Sequence, residues 1–359
     1  MKFSKRGLML VSLLIISVLI HIYSQDKARV EAGYSNQFYI DFSRLLRNIS
    51  GQIPFSAGDI LYGAIILWFI WKLIQKISMR KKSKPLNQRY AKIFLRLLIT
   101  CSIIYIVFNI FWGINYNRKG IASQIGIKIE KYSKQELRDM NCLLTDKINF
   151  TKEALIRQKK PYPSTPQLFN MVSDAYYKIE SQYPFLAYRH SSIKSSMWGW
   201  LGNYAGISGY YNPITAEAQV NTSIPAFLQP FVACHEVAHQ VGYAKEMEAN
   251  FVGYLAASAS SDTLFHYSVY LDLLAYSSRN LYRIDTVSAK LNYKELSPAV
   301  IKDLEEWRRF NKKHTSPAEP VFKWVYGKFL QGNQQPTGIL SYDEVTGFII
   351  AYYKKFGKI

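Results

Sequence analysis

The chain has 359 residues, of which 49% are hydrophobic, and its formal net charge is +20. Such a charge first suggests nucleic-acid binding. The basic residues crowd beside long apolar runs, however, where they indicate membrane topology, so we expect a lipid bilayer and no nucleic acid as partner. The three cysteines (Cys101, Cys142 and Cys234) form no CxxC pair, which argues against a thiolate zinc site and leaves a Cys142–Cys234 pair open.

Three apolar runs near the start of the chain predict transmembrane helices. They cover residues 8–23, 57–75 and 93–114. The first run follows basic residues and no small-residue cleavage site comes after it, so we interpret it as an uncleaved span rather than a signal peptide. The alternative is three buried core helices. The lengths of the runs, their basic flanks, and Trp68 and Trp71 near the end of the second disfavour that alternative.

The distribution of basic residues predicts the orientation of these spans. The N-terminus and the loop at 75–92 are strongly basic, and basic loops stay in the cytoplasm. The segment 26–52 and everything after the third span are then outside. We therefore expect a bacterial cytoplasmic-membrane protein with its N-terminus inside, a membrane anchor over 1–114 and an extracytoplasmic domain over 115–359.

The predicted domain after the spans is mainly helical. Ser133 and Glu136 form a capping box at the start of an amphipathic helix over 133–158. The proline-rich stretch 161–166 breaks the pattern before a second helix over 167–181. Helical patterns return from residue 229 onward, so the fold class is mainly α with a small β element.

That β element is a hairpin predicted within a Gly- and Tyr-rich stretch. Asn212-Pro213 is a turn signal between two short runs at 206–211 and 215–221. The second strand precedes the helix that carries the main motif. It is interpreted either as a sheet edge to which an extended peptide adds or as part of an ordinary structural hairpin.

The main motif of the chain is HEVAH at 235–239. His235 and His239 are one helical turn apart, so both imidazoles lie on one face and can share one metal ion. Glu236 projects toward the open side, where it can take a proton from zinc-bound water and pass it to a leaving amine. This is the HExxH arrangement of zinc metallopeptidases.

A catalytic zinc ion needs a third protein ligand, and the next helix offers two. Gly242 is placed to end the first helix. On the helix that follows, Glu246 shares its face with small residues suited to close packing, whereas Glu248 shares its face with bulkier ones. Glu246 is therefore the preferred ligand and Glu248 the alternative.

Other residues near the motif are weaker candidates. Alternative ligands are His190, His266 and His314. The residue that would stabilise an oxyanion is left open among Tyr210, Tyr211, Tyr254 and Tyr267. A lone histidine or tyrosine is more often a packing residue than part of a site.

The motif resembles that of glutamate-type zinc peptidases. In these enzymes HExxH is followed on the next helix by a glutamate and, four residues later, an aspartate that supports the first histidine. The resemblance implies Glu246 as third ligand and Asn250 in the supporting position beside His235. The chain departs from that pattern by having asparagine for aspartate and a short interval between His239 and Glu246.

Over nearly its whole length the chain resembles the bacterial membrane family of domain of unknown function 3810. The similar stretches are IPFSAGDILYG (53–63), FWGINYNRKG (111–120), SGYYNPITAEAQVN (208–221) and HEVAHQVGYAKEMEANF (235–251). The resemblance implies a multi-span membrane protein with a zinc peptidase-like site, and it gives no substrate.

We therefore expect a membrane-anchored metallopeptidase with a Zn²⁺ cofactor and a peptide or protein substrate outside the cytoplasm. The alternative is a non-catalytic membrane scaffold whose zinc only joins two helices, which would tolerate loss of Glu236 and need a fourth protein ligand. An intramembrane protease is disfavoured because the motif does not lie within an 18-residue apolar span.

Overall fold

A computed structural model describes residues 5–78 and 86–359. The predicted class, mainly helical with a small sheet, is confirmed. The α-helices are α1 (Lys5–Ser24), α2 (Lys27–Arg29), α3 (Tyr39–Ser50), α4 (Ala57–Ser78), α5 (Leu86–Phe111), α6 (Ile121–Ile125), α7 (Lys134–Gln158), α8 (Thr165–Glu180), α9 (Gly199–Gly202), α10 (Gln229–Gln240), α11 (Glu246–Ala259), α12 (Thr263–Ile284), α13 (Thr286–Lys294), α14 (Pro298–Lys313), α15 (Ala318–Gly332) and α16 (Val345–Phe356). The strands are β1 (Ile193–Ser195), β2 (Gly209–Asn212) and β3 (Glu217–Val220). A π-helix, Val30–Phe38, joins α2 to α3.

Within the described residues, α1, α4 and α5 are long and apolar enough to cross a membrane. Their apolar windows have mean hydropathies of 2.2, 1.6 and 2.2, yet only 6%, 11% and 11% of each window is buried. Apolar helices that the rest of the chain leaves uncovered need lipid around them. The chain is therefore a membrane protein, and the alternative of buried core helices is wrong.

The third span ends at Phe111 rather than at residue 114 as predicted. Trp112 has φ −157°, which breaks the helix, and a 3₁₀ turn, Gly113–Asn117, follows it. Trp112 and Ile114 are buried against the folded domain, so their apolar character reflects domain packing and not contact with lipid. The predicted basic loop at 75–92 lies partly outside the described residues, which omit 79–85.

The segment between α1 and α4 packs on the domain that follows α5. Arg118 forms a buried ion pair with Glu31, with 2.7 Å between Nη2 and Oε1. Arg47 donates a hydrogen bond to the carbonyl of Gln240 at 3.1 Å. This segment and the domain therefore form one packed unit. The division at 114/115 and the side of the membrane on which this unit lies remain predictions.

The predicted helices α7 and α8 are both present. The Glu136 amide donates to Ser133 Oγ at 3.1 Å and the Ser133 amide donates to Glu136 Oε2 at 2.6 Å, which confirms the capping box. α8 begins at Thr165, two residues before the predicted start, because Ser164 forms a second capping box and proline is tolerated in a first helical turn.

The small sheet has the strand order β1-β3-β2. β2 pairs antiparallel with β3, so the predicted hairpin is confirmed with shorter strands. β3 also pairs in parallel with β1, Ile193 lying opposite Ala218. The prediction that the second hairpin strand forms a sheet edge is therefore wrong, because β1 occupies its other side. The hairpin contributes its first strand, β2, to the edge.

The sheet also holds the start of the second span. Glu217 on β3 accepts hydrogen bonds from the amides of Ala57 and Gly58, at 2.9 and 2.6 Å. These amides begin α4 and have no partner inside the helix. The buried carboxylate therefore caps the helix, and its negative charge interacts favourably with the positive end of the helix dipole. A Cβ on Gly58 would lie 2.3 Å from Asn212 Nδ2, so only glycine fits here.

The core of the domain surrounds α10 and α11, which pack against each other with α8 and α12 alongside. Large side chains fill this core, among them Tyr176, Phe251, Tyr254 and Phe265, all of which are buried. α10 is buried along almost all of its length. The two polar histidines and Glu236 are therefore held inside the protein, where each needs a specific partner.

Candidate metal centre

The end of α10 fixes the position of the second histidine. The Gly242 amide donates to the His239 carbonyl at 3.0 Å and the Tyr243 amide donates to the Ala238 carbonyl at 3.1 Å, which is the Schellman pattern. Gly242 has φ +96°, so the predicted glycine stop is confirmed. This turn carries the Tyr243 carbonyl back over the helix end to within 2.7 Å of His239 Nδ1.

The carbonyls at the end of α10 and in the turn after it accept hydrogen bonds from the segment after the first span and from Arg118, which follows the third. Tyr39 and Arg47 both donate to the Gln240 carbonyl, at 3.2 and 3.1 Å. Arg118 donates to the Gly242 carbonyl at 3.0 Å and lies over the ring of Tyr243. The last carbonyls of a buried helix would otherwise remain unpaired. The helix that carries both histidines therefore depends on residues from before the second span.

Close packing of α11 brings a carboxylate to the two histidines. A Cβ on Gly253 would lie 3.1 Å from the His235 amide nitrogen, so the two helix backbones approach each other at this glycine. Glu246 Oε2 lies 3.3 Å from His235 Nε2 and 3.5 Å from His239 Nε2. Among the described residues, these three form the group whose ligand atoms lie within 4.8 Å of one another.

The hydrogen bonds around the group leave its ligand atoms pointing inward. His239 donates its Nδ1 proton to the Tyr243 carbonyl, so Nε2 is the ring nitrogen that faces Glu246. Asn250 lies beside His235 and acts to raise the pKa of that imidazole. Tyr326 donates to Glu246 Oε1 at 2.6 Å and leaves Oε2 facing the histidines.

Burial and mutual charge set the protonation of the group. Burial alone would raise the pKa of Glu246, but the two histidines hold it far below the ordinary value. Burial likewise acts to lower the pKa of His239, which the Glu246 carboxylate raises to about 9. Burial lowers the pKa of His235. The group thus holds a carboxylate that requires a cation, either a proton on His239 or a metal ion.

Glu236 is buried beside this group. Its Oε2 has no hydrogen-bond partner among the described residues, and burial raises the pKa of its carboxyl to about 8. A Cβ on Gly209 would lie 2.5 Å from Glu236 Oε1, so the edge strand β2 passes directly over this carboxyl. Glu236 is therefore an acid that both gains and loses a proton near neutral pH.

A cleft reaches Glu236 from the surface. It encloses about 380 Å³, and its walls include His235, Glu236, Asn250, Tyr276 and Tyr326. A second cavity of about 440 Å³ shares Val232 and Asp272 with it. The cleft thus reaches the group at His235, on the side of Glu236 and Asn250.

The remaining predicted candidates lie elsewhere. The side chain of Glu248 points away from the histidines and toward Gly120. A Cβ on Gly120 would lie 2.0 Å from Glu248 Oε1. The three other histidines also stay apart from the group: His190 is exposed, and His266 and His314 bond the carbonyls of Ser260 and Phe310. The structure therefore joins the preferred ligand Glu246, and not Glu248, to HEVAH.

The four candidate tyrosines have separate surroundings. Tyr210 lines the cleft, but its hydroxyl donates to Asp59 at the start of α4. The hydroxyl of Tyr211 lies 2.9 Å from that of Tyr39. Tyr254 packs on Tyr352, and Tyr267 donates to Asp303 at 2.5 Å. Cys142 is exposed and Cys234 is buried, and neither forms a disulfide.

Sequence reasoning missed Tyr326, Tyr276 and Arg279. All three line the cleft, and Tyr326 contacts a candidate ligand that is 80 positions away in sequence. A tyrosine in a chain with 27 of them carries no signal of its own. The spacing in α15 does hold a hint, because Phe322, Tyr326 and Phe329 form one stacked aromatic row at helical intervals.

Comparison with known proteins identifies a family. The model of the family described as "Protein of unknown function (DUF3810)" matches residues 34–350, so the chain belongs to that family. No curated protein and no solved structure matches the chain. The family's description assigns neither a substrate nor a reaction.

Proposed function

We propose that this DUF3810 protein is a membrane-anchored zinc metallopeptidase that cleaves a peptide or protein outside the cytoplasm. The observation that carries the proposal is the convergence of His235, His239 and Glu246 beside the buried carboxyl of Glu236, in a cleft open to ligand. Two imidazoles, one carboxylate and an adjacent acid are the components that a catalytic zinc site needs.

The geometry of the group suits zinc. Bonds of about 2.1 Å in a tetrahedral site place neighbouring ligand atoms about 3.4 Å apart, and Glu246 Oε2 lies 3.3 and 3.5 Å from the two Nε2 atoms. His239 already donates its Nδ1 proton to a carbonyl, so a metal ion that displaced the proton on Nε2 would be bound by that nitrogen and by the Glu246 carboxylate. Bound zinc would supply a Lewis acid that polarises a peptide carbonyl and lowers the pKa of water.

In this proposal Glu236 is the general base. Its carboxyl takes a proton from the attacking water and returns it to the leaving amine, for which a pKa near the working pH is favourable. Burial without a hydrogen-bond partner on Oε2 supplies that pKa. Asn250 orients His235, and Tyr326 holds the Glu246 carboxylate toward the two histidines.

The alternative, a zinc site that only joins two helices, is less well supported. A structural zinc site uses four protein ligands, whereas the group within the described residues contains three. The cleft reaches the group on the side of Glu236, where a structural site would be closed. A structural site also needs no acid at that position.

Metal analysis of the detergent-purified protein tests the metal. We expect about one zinc per chain in the wild type and none in His235→Ala. His266→Ala is the matched control, because His266 lies outside the group and bonds a carbonyl. Absence of zinc from a folded wild-type protein, or its retention in His235→Ala, would contradict the proposal.

Hydrolysis is tested separately with a pool of internally quenched peptides. Glu236→Gln should keep zinc but lose cleavage by at least about 100-fold, the usual contribution of a general base. Glu180→Gln, which alters a glutamate paired with Arg189 far from the group, should cleave normally. Full activity in Glu236→Gln would rule out the mechanism, and zinc-bound protein with no cleavage of any peptide would favour the structural alternative.

A further inference from the structure

Two segments that pack beside the spans expose large apolar side chains. The first is 197–204, in which Trp200 is 58% exposed together with Met197, Trp198, Leu201 and Tyr204. The second is the outer face of α15, where Val321, Trp324 and Val325 recur at helical spacing and Trp324 is 66% exposed. Clusters of exposed apolar side chains on a folded domain indicate an interaction surface.

The first segment lies alongside the second span. Trp198 donates its indole proton to the Asp59 carbonyl at 3.2 Å, and a Cβ on Gly63 would lie 3.4 Å from its ring. Gly63 is six residues into α4, about 9 Å along the helix axis from its start at Ala57. Along the axis of α4, Trp198 therefore lies at the height of turns that belong to the apolar window of that helix.

The second segment lies alongside the third span. The ring of Phe329 on α15 packs edge-on against Phe108 of α5, with 5.9 Å between the ring centroids. Phe108 is three residues before the end of α5, or about 4.5 Å from it along the axis. α15 packs against residues 203–205, and Ser316, two residues before α15, donates a hydrogen bond to the Tyr204 carbonyl. The two segments thus form one surface that is continuous with the domain-side ends of two spans.

The composition of this surface matches the boundary of a bilayer. Tryptophan and tyrosine concentrate at the level of lipid headgroups because one end of each ring system is apolar and the other is polar. Lys328 follows Val321, Trp324 and Val325 on the same face of α15, and its stem can lie on apolar surface while its ammonium group stays at the headgroups.

We propose that residues 197–204 and α15 insert into the interfacial layer of the bilayer on the domain side. The cleft adjoins both segments, since Ala205, which directly follows the first segment, and Phe322, Lys323 and Tyr326 on α15 line it. A ligand therefore enters the cleft at the level of the headgroups. This placement holds whether or not the centre binds zinc, and it favours ligands that are attached to, or partly embedded in, the membrane surface.

Nitroxide labels in lipid nanodiscs test the placement. Trp200→Cys and Trp324→Cys are labelled in a background with Cys101→Ser, Cys142→Ser and Cys234→Ala, and Val287→Cys on α13 is the control. Val287 is more exposed than either tryptophan, and α13 packs mainly on α7 and α12. We expect the ratio of oxygen to nickel-chelate collision rates at 200 and 324 to be several times that at 287.

Two results would overturn the proposal. Equal ratios at all three sites would show that the surface faces water, and protection from both reagents would show that a second copy or another protein covers it.

If the cysteine background does not fold, lipids with brominated chains are used with the native cysteines. Trp324→Phe and Trp200→Phe must then each lower the quenched share of the tryptophan fluorescence, and an unchanged share would equally overturn the proposal.

Discussion

Glu246 and Glu248 show how two residues on one helical turn come to have different roles. Both are buried, but Glu246 faces two histidines and Tyr326, whereas Glu248 faces Gly120. Burial raises the pKa of Glu248, while the histidines hold that of Glu246 low. The charge of Glu246 is thus matched by a cationic partner, and that of Glu248 is matched only weakly.

We predict that Glu246→Gln and Glu248→Gln will differ in zinc content. The first removes the anionic ligand and should lower zinc affinity by more than the roughly 10–100-fold that loss of a supporting contact costs. The second leaves every candidate ligand in place and should bind zinc as the wild type does. Competition with a chromogenic chelator measures both, and equal affinities would contradict the assignment of Glu246.

Asp272 gives a prediction of pH dependence. Burial raises its pKa to about 7, and its Oδ2 has no hydrogen-bond partner among the described residues. Its pKa in the unfolded chain is near the ordinary 3.8, so between those two values the folded protein keeps a proton that the unfolded chain releases. The contribution of Asp272 to the free energy of unfolding therefore falls as pH rises from about 4 to about 7, and is constant above that.

Asp272→Asn should remove this dependence. At pH 8 the variant should exceed the wild type in free energy of unfolding by up to about 4 kcal/mol, and the difference should shrink toward pH 4. Asp174→Asn is the control, because Asp174 is exposed. Chemical denaturation across this pH range measures both variants. A difference that is independent of pH would show that Asp272 is already ionised in the fold.

At the scale of elements, the turn after α10 links helix termination to the candidate ligands. Gly242 has a positive φ, and a Cβ there would lie 3.1 Å from Arg118 Nη1 and 3.2 Å from the ring of Tyr39. The same turn supplies the carbonyl that receives the Nδ1 proton of His239. Distortion of the turn would therefore reach the metal centre directly.

Gly242→Ala should destabilise the fold by about 1–3 kcal/mol, the usual cost of a non-glycine residue in strained backbone. It should also weaken zinc binding. Gly332→Ala at the end of α15 is the control, because a Cβ there meets nothing within 4 Å. In a background lacking Cys101 and Cys142, reaction of the buried Cys234 with a thiol reagent on heating reports unfolding. Equal transitions for the two variants would contradict the account.

Locally encoded elements could be predicted from the sequence, and long-range pairings could not. The capping box of Ser133 and Glu136 involves residues three positions apart, and the stop at Gly242 lies directly after the helix that it ends. Sequence pattern alone was therefore enough to locate both features. The parallel partner of β3 begins more than 20 residues upstream of it, at Ile193. Nothing in the hairpin sequence specifies that partner, so the sequence left open whether this strand lies at an edge, and the structure excludes the edge.

The candidate site divides in the same way. His235, Glu236 and His239 lie within one turn of helix, and the periodicity of α11 separated Glu246 from Glu248 by the size of the residues on each face. Tyr326 reaches Glu246 across 80 positions of sequence, and such a contact exists only once α15 is packed. Its identity depends on tertiary structure, which local pattern does not contain.

At the scale of the whole molecule, the buried pair Glu31–Arg118 joins the segment after the first span to the domain after the third. Glu31 Oε1 also accepts from Gln124 and Oε2 from the Lys119 amide, at 2.8 and 3.0 Å. Burial acts to raise the pKa of Glu31, but Arg118 holds it below the ordinary value. Removing the carboxylate would leave a buried guanidinium without its charge partner.

Glu31→Gln should therefore lower the free energy of unfolding by about 3 kcal/mol, as for other buried pairs that lose one partner. Glu153→Gln breaks an exposed pair with Arg157 on α7 and should cost less than about 1 kcal/mol. Thermal unfolding in one detergent, followed by circular dichroism, compares the two variants. Equal losses would mean that the segment after the first span does not brace the domain.

The bracing of α10 by Tyr39 and Arg47 has a consequence for biogenesis. These residues are synthesised about two hundred positions before the histidines, so the end of α10 takes its donors from a part of the chain that is already made when HEVAH is translated. If the centre binds zinc as proposed, we expect capture of the metal to follow the packing of this earlier segment on the domain.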